Sequence, residues 1–315
     1  MKPATSPALK RDALYAKSQV YVRRGLRAQA DGDTEEYQLW ASLALELLGK
    51  AALANVHPAL VADPTHYQSL FSACGRQISA DIKTITAKTL FERLSHIDKA
   101  FDSRHQKFCE QIAIRRNAEL HSGESPFSGM AAEVWEREFW GAIEAILNMQ
   151  AESLESWLGA QDSKAPQELL KQAIQAAEWA VQHRISRHRE DFEAKYRDPR
   201  KRAEMVEMGG NRPIQDYEKK FNVAADAWER HDCPACGAKG FLGGQLWEEE
   251  VVDVEDPDDP WIEYTDETYT GEEYVCPTCD LHLFGTKELE AAGLSKEFVV
   301  RVERERDFEP GYGND

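Results

Sequence analysis

Residues 35–56 read EEYQLWASLALELLGKAALANV. Leu39, Leu43, Leu47 and Ala51 recur every four residues, and Trp40, Ala44 and Leu48 widen the stripe. An apolar face this broad belongs to a helix enclosed by other helices. Thr34, followed by Glu35 and Glu36, is the expected N-cap with first-turn carboxylates. Upstream, residues 8–30 form a second helix that stops at Asp31-Gly32-Asp33.

Downstream, Pro58 and Pro64 interrupt the pattern, and further helices are expected over 65–73, 84–97 and 100–121. After Gly123, Ser125 and Pro126 a long helix is expected over 129–158, with Val134, Trp135, Phe139, Ile143, Ile146 and Leu147 on one side. Low Gly and Pro content inside these segments favours a bundle over a β architecture. Residues 164–206 read as one connecting helix. Leu169, Leu170, Ile174, Ala177 and Val181 give it an apolar stripe, and HRISRHREDFEAKYRDPRKR at 183–202 carries eight Lys/Arg against four acids. Such a run is by default a solvated face, and otherwise an arm that tracks phosphates. Beyond Gly209-Gly210 and Pro213 the composition turns to glycine, aromatic and acidic residues, with strand-like stretches at 241–252, 261–269, 273–275 and 281–284. No internal repeat is visible.

Two knuckles stand in this second half: Cys233-Pro-Ala-Cys236-Gly and Cys276-Pro-Thr-Cys279. Two residues between cysteines let both thiolates face one ion, and two knuckles complete a tetrahedral four-sulfur site suited to zinc. The site is closed, so the ion's role is structural. Redox-active pairs are the alternative, but neither knuckle opens a thioredoxin-like βαβ unit. Residues 228–293 resemble a zinc ribbon, with the second knuckle running into a strand and a short helix at Lys287–Gly293. His231 and His282 flank the knuckles as supporting or surface residues rather than ligands. Cys74 and Cys109 read as ordinary helix residues.

The net charge of −18 is unevenly placed. Residues 1–160 hold 18 Lys/Arg against 20 Asp/Glu, whereas 246–275 hold 13 acids and no base. The helical half is therefore nearly neutral and compatible with an RNA partner, while the acidic segment reads as a long hairpin or loop inserted in the ribbon. It is a solvated hairpin or an electrostatic plug mimicking RNA; a calcium site at 253–259 is weakly supported, because an EF-hand spacing is lacking. The polar start MKPATSPALKRDALYAK and the lack of an apolar run near ~18 residues lead to the expectation of a cytoplasmic chain without a signal peptide or membrane helix. No Walker loop, dinucleotide fingerprint or HExxH pattern occurs.

Residues 112–123 read IAIRRNAELHSG, in which Arg116, Asn117 and His121 form Arg-Asn-x-x-x-His. Metal-free RNA cleavage needs a base for the ribose 2′-OH, an acid for the leaving 5′-oxygen and a cation for the phosphorane. Histidine can carry either proton and arginine stays charged. On a helix Asn117 and His121 lie about 40° apart and Arg116 about 140° from His121, so Asn117 is the expected partner of the imidazole. The alternative is a surface arginine and a helix-terminal histidine favoured by the dipole. Together with LALELLGKAAL at 43–53, bearing Glu46 and Lys50, the motif resembles the HEPN superfamily over residues 8–158. That resemblance implies a helical bundle, often a dimeric metal-independent ribonuclease of the toxin or phage-defence kind, with the two motifs of a homodimer sharing one cleft. A HEPN fold that binds without cleaving is the alternative. Family toxins regulated by tyrosine AMPylation often carry a tyrosine two residues after the histidine, where this chain has Gly123.

The expected fold class is therefore mainly α: a HEPN-like bundle at 1–160, a connecting helix with a basic stretch at 161–225, and a small β-rich zinc ribbon at 226–315. The ribbon or its acidic insertion is a possible surface for a protein partner.

Overall fold

The computed structural model describes residues 5–128, 132–216, 220–222, 224–252 and 262–305. The chain divides into two compact units, Met1–Ile174 and Gln175–Asp315. The described residues are mainly helical, with an antiparallel sheet confined to the second unit.

In the first unit, α1 (Arg11–Ala30) and α2 (Thr34–Val56) are joined by a three-residue turn whose Gly32 has φ 81°. That turn moves the cap one residue upstream of Thr34: the Asp33 side chain accepts from the Glu36 amide at 2.9 Å. α2 packs against α1, α4 (Ala87–Leu94), α5 (Ser103–His121) and α6 (Ala132–Asn148). Its deepest residues are Tyr37, Ala41, Ala44, Leu45, Leu48, Ala51 and Leu53, while Leu39, Leu43 and Leu47 are half-buried. The small side chains face inward because α1 approaches closely. At Gly25 of α1 a Cβ would lie 3.2 Å from the Tyr37 ring and 3.3 Å from the Tyr37 carbonyl oxygen. Among the described residues α2 is the one helix with the length and mean hydropathy (1.3) of a membrane span, although the sequence holds no unbroken apolar run. Of that window 61% is buried in the bundle, so its apolarity is accounted for by the core.

The helix expected over 129–158 is two. α6 ends at Asn148, Ala151 adopts φ 55°, and Ser153 starts α7 (Leu154–Leu158) through a reciprocal capping box with Ser156. Trp157 is then anchored to α1: its Nε1 donates to Ser18 Oγ at 2.9 Å. Residues 129–131 lie outside the described ones. α3 (Tyr67–Ala73) completes the unit with the first part of α8.

The stretch 164–206 is also two helices. α8 (Lys164–Lys195) ends before Asp198-Pro199, where the proline disfavours helical backbone at Asp198 and Asp198 caps α9 (Pro199–Gly210). In the second unit, β1 (Ala227–Asp232), β2 (Lys239–Val252), β3 (Ile262–Val275) and β4 (His282–Phe284) pair in that order, all antiparallel. β5 (Glu297–Glu305) pairs with the first nine residues of β3, and β4 with its last three. The acidic segment is thus a long hairpin, β2–β3, with irregularities at Gly243/Gly244 and Leu246/Glu248. Strands β1 and β5 were not expected, and the stretches expected at 261–269 and 273–275 fall, from Ile262 onward, in one strand, with 261 outside the described residues.

This hairpin is only partly solvated. Glu267, Glu272 and Glu273 are buried, and Asp266 and Glu249 pair with Arg301 and Arg304 of β5 at 2.7 and 2.8 Å. The calcium site considered at 253–259 lies outside the described residues.

Candidate functional site

The four cysteines converge as their spacing predicts. The knuckle 233–236 is the turn between β1 and β2, and 276–279 is the turn between β3 and β4. The two turns share one backbone pattern. Cys233 N donates to Ala238 O (2.8 Å) and Gly237 N to Cys233 O (2.9 Å); Cys276 N donates to Leu281 O (2.8 Å) and Asp280 N to Cys276 O (2.9 Å). The residue after each second cysteine, Gly237 or Asp280, is left-handed at φ 77° or 58°. Glycine and aspartate are among the residues that accept this conformation most readily.

All four sulfurs lie within 4.8 Å of one another, with Cys233–Cys279 and Cys236–Cys276 at 3.6 Å. A disulfide needs about 2.05 Å. A metal at the ~2.3 Å zinc–sulfur distance in a tetrahedron would put sulfurs about 3.8 Å apart, close to what is seen. The cluster can therefore hold one metal ion. Neither knuckle starts a helix, which sets it apart from a redox-active CxxC at a helix N-terminus. Sulfur hydrogen bonds from Cys236, Cys276 and Cys279 hold the Cys233 thiol far below its ordinary range. The same contacts, led by Cys233, push Cys276 and Cys279 up. The Cys236 thiol is lowered as well, so the four sulfurs share their protons unequally, and a metal entering the cluster displaces those protons.

Side chains outside the knuckles complete the centre. On α8, His188 Nδ1 lies 2.7 Å from the Cys279 carbonyl oxygen, and Arg189 Nη2 donates to the Pro234 carbonyl at 2.7 Å. Arg184 makes a two-pronged pair with Glu288 (2.8 and 3.0 Å) and donates to the His282 carbonyl. Val181 and Ile185 are buried in the same core as Leu242, Leu281 and Leu289. This part of the basic run is therefore solvated on one face only, with His183 and Arg187 exposed, and packed on the other. It clasps both knuckles. The signal was present in the spacing of Val181, Ile185, His188 and Phe192, which carries the apolar stripe on through the charged stretch. His231 and His282 point to Glu229 and Glu273, not to the sulfurs.

In the first unit, Arg116 and His121 are placed differently from each other. His121 is the last residue of α5 and is exposed. Arg116 is 8% exposed, so it is not the surface arginine of the alternative reading. Its Nη1 is paired with Glu46, and its Nη2 and Nε donate to Asn117 Oδ1 at 2.9 and 3.3 Å. Asn117 therefore orients the arginine rather than the imidazole, because the guanidinium folds back along the helix toward α2. Lys50 joins the group, donating to Glu46 (2.7 Å) and Thr84 Oγ1 (3.0 Å). Burial alone would raise the Glu46 carboxyl, but the Lys50 and Arg116 cations override it and hold it below the ordinary range. Thr84 was not foreseen, since it reaches the site from the segment before α4. Cys109 is buried in α5, where burial pushes its thiol well up, so it is no nucleophile. Comparison with known proteins finds no match for this chain among family models, curated proteins or solved structures.

Proposed function

We propose that the chain is a metal-independent endoribonuclease of the HEPN type, acting as a homodimer in the manner of a toxin or phage-defence effector, with a structural zinc in its second unit. The observation that carries this reading is the oriented Arg116. Glu46 and Asn117 fix its guanidinium on the helix that ends in exposed His121. In this mechanism His121 moves a proton at the 2′-oxygen or the leaving 5′-oxygen, and a second His121 from the partner protomer takes the complementary role. Arg116 stabilises the phosphorane charge, and Asn117 and Glu46 position Arg116. Cys233, Cys236, Cys276 and Cys279 would hold zinc, whose chemistry in a closed four-sulfur site is structural.

The test uses the full zinc-loaded chain in buffer without magnesium. RNA should be cut to 5′-hydroxyl and 2′,3′-cyclic phosphate ends, and DNA or RNA methylated at the scissile 2′-oxygen should survive. His121→Ala should lower the rate by ~10²-fold or more, given the usual scale of acid–base contributions. Equal cleavage by wild type, His121→Ala and Arg116→Ala would sink the assignment. One observation favours a second reading, a HEPN-like module that binds without cleaving: Arg116 already commits three of its five N–H donors to Glu46 and Asn117 and is nearly inaccessible. Under that reading no preparation of wild type cleaves RNA.

A further inference from the structure

Residues 195–202 read KYRDPRKR and span the end of α8, the corner and the first turn of α9. Five cations face one acid here, a net of +4 in a chain of net −18. Lys195, Arg197, Arg200 and Lys201 are exposed and Arg202 is half-buried. The basic residues just upstream are engaged: Arg184 with Glu288, Arg189 with the first knuckle, Arg187 with Asp191 at 4.0 Å. Among the described residues none of the five downstream cations forms an ion pair with the protein. The single acid, Asp198, is occupied in capping the Arg200 amide at 2.9 Å.

Like charges gathered without ion pairs repel one another, and an external polyanion would relieve that repulsion. The patch also has a fixed support. α8 is clasped to the knuckles, and Val206 of α9 packs on the core of the second unit. Four features fit nucleic acid, two of them against a membrane and the Tyr196 ring against an acidic peptide. Three of the cations are arginines, whose planar fork matches phosphate. Tyr196 lies among them, half-buried against Phe192 at 5.2 Å and beneath Lys195 at 5.3 Å, as a ring on which a base can stack. No large apolar side chain between Trp179 and Met208 is exposed for insertion into lipid. The cations follow the chain round a corner rather than lining one face of a long helix, as a membrane-surface helix would require.

We infer that the α8–α9 corner is a docking surface for the phosphate backbone of single-stranded RNA, separate in the chain from the Arg116–His121 motif. The choice of RNA over DNA rests on the ribonuclease reading; the docking surface itself does not.

The test measures binding of a labelled single-stranded RNA to the full zinc-loaded chain carrying His121→Ala, so that cleavage cannot intervene. Anisotropy is followed as salt is raised, for this parent and for a variant adding Arg197→Gln, Arg200→Gln, Lys201→Gln and Arg202→Gln. Each phosphate contact on a single strand contributes about 0.7 to the slope of log affinity against log salt. The fourfold variant should therefore show a slope shallower by roughly 2 to 3 and an affinity lower by at least about tenfold at moderate salt. Arg187→Gln, whose partner is Asp191, should bind as the parent does. Retained zinc and an unchanged melting profile show that the fourfold variant is folded; if it is not, Arg200→Gln and Lys201→Gln together are read instead, with about half the slope change. A parent that does not bind RNA, or a folded variant with the parent's affinity and slope, overturns the inference. So does a variant that loses only its binding to phosphatidylserine-containing vesicles. Wild type that binds through this corner but never cleaves leaves the inference standing and removes the nuclease reading instead.

Discussion

Glu46 shows how one half-buried carboxylate can hold a site. It links α2 to α5 through Arg116 and is itself held by Lys50. Its folded-state carboxyl sits below the ordinary range, so its contribution to stability is complete above that range and is lost as pH falls through the lowered value. Glu46→Gln should then destabilise the first unit by roughly 3 kcal/mol near neutral pH, because Lys50 and Arg116 lose a largely buried partner. The same variant should be less sensitive to further acidification than wild type. Chemical denaturation at neutral and acidic pH checks both statements; an unchanged midpoint at neutral pH would show that the cluster is not stabilising. Glu46 and Lys50 could be noticed in the sequence, four residues apart on one helix. Their grip on Arg116 could not, since it depends on the approach of α5 to α2.

At the scale of elements, the β2–β3 hairpin is the spine of the second unit rather than an appendage. β5 pairs along its outer half, so excising residues 248–273 would leave β5 without a partner. A more selective probe is Gly240 in β2. A Cβ there would lie 2.2 Å from the Tyr274 hydroxyl and 2.5 Å from its ring carbon, and Tyr274 is fully buried. Gly240→Ala should destabilise this unit by about 1–3 kcal/mol, the usual range for overpacking, while the melting of the helical unit is unchanged. No strand was expected at β5 although Phe298, Val300 and Val302 alternate there, whereas β1, AWERHD, has no such pattern and exists because β2 supplies its partner. The helix breaks at Ala151 and Asp198 were each written locally, in Ser153 with Ser156 and in Asp198-Pro199, but a reading by apolar period runs through them.

For the whole molecule, metal content and assembly are the quantities to measure. We expect one zinc per chain by native mass spectrometry. Cys276→Ser should lose it and unfold the second unit, since a structural zinc can contribute on the order of 10 kcal/mol, while the helical signal of the first unit persists. Zinc retention in that variant would remove the site. Zinc-dependent stability should fall as pH falls, because cysteine binds the metal as thiolate and protons compete with the metal for the four sulfurs. Sedimentation of the full chain at micromolar concentration should give a dimer; an active monomer would refute the shared-cleft mechanism. What the sequence by itself determined was local: apolar period made the helices, two CPxC turns made two matched knuckles, and proline, glycine and aspartate set the turns. Tertiary structure alone decided which groups meet. It buried Arg116 against Glu46, turned Asn117 to the arginine, spent His188 and Arg189 on the knuckle carbonyls, and left the cations of 195–202 without an ion pair among the described residues. The physical reason is that a hydrogen bond or ion pair between distant segments depends on how helices pack, and side-chain identity records the capacity for such a bond but not its partner.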